Sequence, residues 1–252
     1  GELMMGHPII DIGYRGIFNC TLIVTTSLKD NHSGAYGGSI PNAANELAQL
    51  LAKMHNENGR LSIPGIDNDY QIDPSIVENN MRIPFTIENL KEVTGSKKFL
   101  GDNVVDFYTL TGYMTSAEIT GLNSGYIKEG YKNAIPGTAF AKINFRLAGN
   151  TSVAKAVQDF KQFVETNKPE YVDYELLVEH SSEPIVLDYK NDYVEDALKV
   201  QKDIYSVDTI LLYNGAIIPI AGYFKEYLHA AVVSAGIGNE DCNMHGVNEN
   251  FK

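Results

Sequence analysis

The order of periodic segments predicts an α/β chain in two parts. The first is an α+β, ferredoxin-like split βαβ sandwich, an antiparallel sheet with both helices on one face; the second is an incomplete α/β segment. Three observations predict this. Apolar side chains alternate from Phe18 to Thr26 and from Thr138 to Leu147, they recur at helical spacing from Ser39 to Asn56 and after Thr151, and the pattern changes after Pro184.

From Phe18 to Thr26, Phe18, Cys20, Leu22 and Val24 share one face of a half-buried strand. Ile40, Ala44, Leu47, Leu51 and Met54 then mark a helix, with Ser39 as N-cap, Pro41 in the first turn and Asn58-Gly59 as its stop. Leu61 to Asp106 is rich in Pro, Asn, Asp and Gly and reads as an irregular excursion with one short helix at 87–94. A second strand is expected from Tyr113 to Gly121. The third, Thr138 to Leu147, places Ala139, Ala141, Ile143, Phe145 and Leu147 on one face and Lys142, Asn144 and Arg146 on the other. Val153, Val157, Phe160 and Val164 give a helix ending near Lys168-Pro169, and Val172 to Val178 alternates again. Residues 13–179 are therefore assigned to one domain.

Residues 180–252 read as a helix at 191–205, a strand at 209–212, a turn through Gly215 to Pro219, a helix at 220–228 and a strand at 231–235. Two strands are too few for a parallel layer covered on both faces. This part is expected to be half of a domain, with the remainder before Gly1, after Lys252, or both.

The chain has 252 residues, 44% of them hydrophobic, with a formal net charge of -12. Its 20 Lys and Arg are scattered, so nothing attracts a phosphate backbone and nucleic acid is not an expected partner. A stacking-type RNA-binding sheet is disfavoured on the same ground. No apolar run reaches the roughly 18 residues of a membrane span, and the N-terminus lacks a signal peptide's features. No membrane partner and a cytoplasmic location are expected. Cys20 and Cys242 lack a disulfide or CxxC pattern and read as reduced thiols.

Two histidines stand in polar, glycine-bearing loops: His32 within 30–38 (DNHSGAYGG) and His245 within 243–249 (NMHGVNE). With Tyr14-Arg15-Gly16, Ile40-Pro41-Asn42, 58–65 (NGRLSIPG), 118–121 (EITG), 129–136 (EGYKNAIP) and 141–147 (AKINFRL), they make a linked series of motifs. In these the chain resembles the zinc aminoacylase, carboxypeptidase and dipeptidase superfamily, which includes carnosinase-type dipeptidases. The resemblance covers nearly the whole chain, and the long excursion after Arg60 is similar to the dipeptidase and carboxypeptidase branch, implying short peptide substrates.

The resemblance implies that residues 13–179 are the dimerisation, or lid, domain of a homodimeric hydrolase. In such enzymes two zinc ions sit roughly 3.5 to 4 Å apart in a separate catalytic domain. Of the metal ligands only His245 matches, and one imidazole cannot hold a hydrolytic zinc, which needs about three protein ligands. This chain alone is expected to be inactive. His32 matches the lid histidine that reaches the partner's active site and stabilises an oxyanion; a plain reading is that it caps its own loop. Arg146 matches the substrate-carboxylate arginine, the alternative being a surface arginine paired with an acid. Asn133 takes the place of a substrate-touching threonine. His180 matches a further substrate-side histidine, although a hinge residue would look the same. Gly215, Ala216 and Ile217 occupy the substrate-binding turn, where relatives carry Arg-Glu-Gly-Gly-Ser/Thr-Ile-Pro and this chain reads Tyr213 to Pro219 without the hydroxyl. Backbone N–H groups replace it, the substrate end differs, or activity has decayed. The last option favours a stand-alone, non-catalytic dimerisation or binding module.

Overall fold

The computed structural model describes residues 2–4, 6–66, 72–236 and 246–250. In chain order the first elements are β1 (Glu2–Met4), β2 (His7–Tyr14), β3 (Gly16–Thr25), β4 (Asn31–His32), α1 (Ser33–Tyr36) and α2 (Ala43–Ala52). The excursion forms α3 (Pro74–Asn80), α4 (Ile87–Thr94) and α5 (Val104–Gly112). Then come β5 (Ser116–Ser124), β6 (Ala134–Ile135), β7 (Thr138–Leu147), α6 (Val153–Asn167) and β8 (Asp173–Ser182). The chain continues through β9 (Ile185–Val186), α7 (Asp192–Tyr205), β10 (Ile210–Asn214) and α8 (Pro219–Leu228).

Strict alternation makes β3 and β7 the centre of a sheet ordered β5-β7-β3-β8, with antiparallel neighbours throughout. Phe18, Cys20, Leu22 and Val24 of β3 and Ala139, Ala141, Ile143 and Phe145 of β7 face inward, where Leu47 and Leu50 of α2 and Phe160 and Val164 of α6 cover them. Phe18 stacks on Phe145 at 4.3 Å, and Phe145 meets Phe160 at 4.9 Å. This is the split βαβ sandwich, both helices on one face. The opposite face stays half-exposed through Ile17 and the polar Asn19 and Thr21. Burial pushes the free Cys20 thiol up to about 12, so it behaves as a core side chain.

The second sheet is built from both ends of the described chain. β2 pairs in parallel with β10, from Ile9 opposite Ile210 to Tyr14 opposite Asn214, and β1 and β9 run antiparallel to β2. Ile210 and Leu212 face Leu90, Val104 and Tyr108, while Tyr213 joins Ile10, Ile12, Ile76 and Tyr113 on the other side. The open edge of β10 is covered by α3: Leu211 N donates to Asn79 Oδ1 at 2.8 Å, and Arg82 donates to Thr209 O at 3.3 Å. Side chains thus complete a strand edge that would otherwise template a further chain.

Four expectations are corrected here. The partner of β10 is β2, not a strand at 231–235, where only an isolated bridge joins Ser234 to Asp11. Among the described residues the excursion after Leu61 carries three helices, not one; Asp73, Thr86 and Asn103 each cap one of them with a side-chain oxygen. The second strand starts at Ser116 instead of Tyr113, because α5 occupies residues up to Gly112. The helix expected from Ser39 begins at Ala43, because Asn42 Oδ1 accepts from Ala44 N at 2.9 Å while Ser39 Oγ is turned back onto Tyr36 O.

Asp11 is buried within β2, where its carboxylate accepts from the Tyr14 hydroxyl at 3.1 Å and from Asn214 Nδ2 at 3.2 Å. Burial pushes its pKa above the usual carboxylate range against those two bonds. The folded state therefore binds this proton more tightly than the unfolded chain. The stability it contributes is complete below about pH 4 and is lost as pH rises through the raised value.

Asp11→Asn should remove that loss, so thermal melts of the variant and the wild type should diverge progressively as pH rises from about 4; parallel curves would show that Asp11 titrates as in the unfolded chain. Asn79→Ala strands the Leu211 N–H and should cost about 1 to 3 kcal/mol in urea unfolding. No change in midpoint would mean that another group satisfies the β10 edge.

Candidate substrate-binding site

The His32 loop is stitched to the segment before β7. Asn31 pairs with Ile135 and His32 with Ala134. Asp30 accepts from Gly137 N at 3.2 Å and pairs with Lys132 at 3.4 Å, and Ser33 N donates to Asn133 O at 3.1 Å. His32 caps α1: its Nδ1 accepts from Gly34 N at 3.1 Å and Ala35 N at 3.2 Å. A neutral imidazole that accepts at Nδ1 carries its proton on Nε2. The exposed ring therefore offers an N–H donor at its far end, and capping and donation are two uses of one tautomer. Asn133 is exposed beside it. Leu28 and Tyr131, on the same pair of loops, are wholly exposed.

Arg146 stands near the far end of β7, opposite Ile17 of β3 and Ser116 of β5. Its Nε donates to Asn144 Oδ1 at 3.0 Å, and Asn144 Nδ2 donates to Asn19 Oδ1 at 2.6 Å. Anchoring at Nε leaves the two terminal nitrogens for a ligand, and among the described residues no carboxylate forms an ion pair with them. His180 is the extra residue of a β-bulge, lying between Glu179 opposite Asn19 and Ser181 opposite Phe18. Its φ of 42° is in the left-handed region, unusual for a residue with a Cβ, and a bulge re-aims the side chain it carries. Gly215, Ala216 and Ile217 follow β10; Asn214 Oδ1 accepts from Ala216 N at 2.9 Å and holds the turn.

Arg15 belongs to the Tyr14-Arg15-Gly16 motif and is not among the expected site residues, yet the structure places it beside the Gly215 turn. Its backbone N donates to Asn214 O at 3.3 Å. A Cβ built on Gly215 would lie 3.1 Å from Arg15 Nη2 and 2.8 Å from Thr111 O, so the turn can pass here only as glycine. Burial first, and the nearby Arg146 charge second, lower the Arg15 guanidinium to about 10, with Glu118 opposing them. The sequence signal for this was slight: a cation between Gly13 and Gly16, where two chain segments must approach closely.

The candidate residues thus fall into two groups. His32 and Asn133 lie at the start of β7, whereas Arg146, His180 and the Gly215 turn lie at its end. Thr138 to Arg146 spans roughly 27 Å at about 3.4 Å per residue. One small substrate cannot touch both groups of a single chain. His245 lies outside the described residues. Among the described residues no group of three or more His, Cys, Asp or Glu side chains is placed to hold a metal ion, so they do not build a zinc site.

Residues 12–172 match the family model described as the peptidase dimerisation domain. The chain belongs to that family. It is 29% identical over 251 residues to the Cys-Gly metallodipeptidase DUG1 of Saccharomyces cerevisiae, covering 96% of this chain and 51% of that protein. Against the human Beta-Ala-His dipeptidase it is 23% identical over 246 residues, with 96% and 48% covered. The solved structure of the Saccharomyces cerevisiae di-peptidase Dug1p superposes with a TM-score of 0.76 at 26% identity, covering 98% of this chain and 53% of that one. The M20 family metallo-carboxypeptidase Sso-CP2 of Sulfolobus solfataricus shares the fold with a TM-score of 0.85 at 24% identity, covering 100% and 58%. The chain spans about half the length of the curated relatives it matches.

His32→Ala should speed amide exchange at Gly34 and Ala35, whereas His32→Asn should largely preserve their protection, since Asn is a strong N-cap. Equal exchange in wild type and His32→Ala would remove the capping role.

Proposed function

We propose that this chain supplies the dimerisation and substrate-closing part of a metal-dependent peptidase acting on dipeptides or other short peptides. On this reading residues 13–179 carry the dimerisation unit, with the excursion of α3 to α5 packed on the second sheet, and 180–252 belong to the catalytic unit. The observation that carries this reading is the separation of the two residue groups along β7. A homodimer resolves it: His32 and Asn133 of one protomer reach the site where Arg146, His180 and the Gly215 turn of its partner bind substrate. The fully exposed Leu28 and Tyr131 beside His32 suit an end that docks on protein.

The chemistry follows from the side chains. The two free terminal nitrogens of Arg146 match the geometry of a peptide's terminal carboxylate. Nε2–H of His32, with Nδ1 already held by two backbone donors, is preorganised to donate to the oxyanion that develops when the scissile carbonyl is attacked. Such a donor lowers the barrier by roughly 2.7 to 4 kcal/mol. Metal dependence is taken from the relatives. Zinc, two ions in the whole protein with His245 as this chain's ligand, is the form proposed, and no step here is derived through it. Among the described residues no helix is long and apolar enough to cross a membrane, and a cytoplasmic location is part of the proposal.

The second reading, a non-catalytic dimerisation module, draws on Ile217, which has no hydroxyl in the substrate turn. Full-length protein distinguishes the two. His32→Ala should reduce peptide turnover by about two to three orders of magnitude with metal content unchanged. Mixing inactive His32→Ala and Arg146→Ala proteins should restore about a quarter of wild-type activity, because half of the dimers then hold one intact site. No recovery on mixing sinks the shared site, and no peptide hydrolysis by the wild type favours the module.

A further inference from the structure

Arg15 lies at the junction of the two sheets, close enough to Arg146 for the second charge to act on the first, and neither has an ion-pair partner among the described residues. Arg15 Nη1 reaches only Met114 O at 3.5 Å and Ser116 Oγ at 3.4 Å, the outer limit of a hydrogen bond. Its Nε is buried with no hydrogen-bond partner among the described residues. Ser116 is also the register neighbour of Arg146, so one residue of β5 touches the first guanidinium and stands opposite the second. Among the described residues the carboxylate that acts on Arg15 is Glu118, which is exposed and pairs with neither arginine. Two half-buried like charges are costly to hold together unless an anion is bound between them.

We propose that Arg15 is a second substrate-binding residue, which together with Arg146 holds the terminal carboxylate of a peptide against the Gly215 turn. The placement answers the loss of the hydroxyl at Ile217. Arg15 comes from the junction of β2 and β3, its backbone is tied to Asn214, and its Nη2 lies against Gly215, in the same turn as Ile217 and two residues before it. A guanidinium supplies to a carboxylate what a serine or threonine supplies, a hydrogen-bond donor, and adds a full charge. The competing role is a structural tie between the sheets. The Arg15 contacts to Met114 and Ser116 are too long to make a strong one.

This inference rests on the reading of Arg146 as the carboxylate residue, and binding to this chain separates the two. The probes are N-acetylglycine and its neutral amide, N-acetylglycinamide, titrated while the arginine Nε–H resonances are followed by NMR. N-acetylglycine should shift the Arg15 and Arg146 signals in parallel, and the amide should shift neither. Arg15→Gln should weaken N-acetylglycine binding by about tenfold or more, with Arg15→Lys in between because it keeps charge but not the fork. An Arg15 signal that stays in place throughout the acid titration, or unchanged affinity in Arg15→Gln, overturns the inference. Should Arg15→Gln fail to fold, the titration of the unaltered chain decides alone. Binding that Arg146→Gln abolishes and Arg15→Gln leaves intact sinks Arg15 only. Carboxylate binding through both residues in a full-length protein that hydrolyses no peptide sinks the peptidase reading and leaves this one standing.

Discussion

β2 and β10 lie side by side in parallel with residues 15–209 between them in the chain, and the positions of the candidate site depend on that pairing. The chain leaves the second sheet at Arg15 and returns to it through Pro184. Around this point the backbones touch: a Cβ on Gly16 would stand 2.6 Å from Pro184 N, and one on Gly13 would stand 2.9 Å from Ile185 O. Exit and return are therefore one junction. The four-stranded sandwich hangs from it by one end, so the ends of its strands become near and far positions relative to the β10 turn.

That geometry sorts the chemistry. The near end holds arginines, the bulged His180 and a turn narrowed by glycine, which suits an anion. The far end holds a neutral imidazole whose tautomer is set by two backbone N–H groups, which suits a donor aimed at a charge developing elsewhere. A ten-residue strand keeps them apart rigidly, since β7 is hydrogen-bonded on both sides and its inner face is packed against α2 and α6. On the proposed reading, bringing the two chemistries onto one substrate takes a second protomer, not a bend in the first.

Much of the sandwich was readable because β3 and β7 are buried on one face only, and a half-buried strand writes its burial into alternation. β2 carried no such mark. It is covered on both sides, so Ile9, Ile10 and Ile12 follow no period of two, and its polar Asp11 is absorbed by Tyr14 and Asn214. α5 carries no legible helix signal for a different reason: Val, Phe, Tyr and Thr favour strands, yet Asn103 caps a helix there and Val104 and Tyr108 bury against β10. Packing outweighed propensity. At the site, His32 and Arg146 stood out through their motifs, whereas Arg15 did not, because its significance lies in what the β10 turn brings beside it.

The amino-acid sequence by itself determined the split βαβ order, the two helices of its covered face, the family resemblance and most of the candidate residues. These follow from local periodicity and from motifs a few residues long. Only the tertiary structure decided that β10 pairs with a strand near the other end of the chain, that His32 and Arg146 stand at opposite ends of β7, and that Arg15 lies at the junction within reach of the Arg146 charge. Each of those is a long-range contact, set by burial on two faces and by close backbone approach, and such contacts leave no periodic trace in the residues that make them.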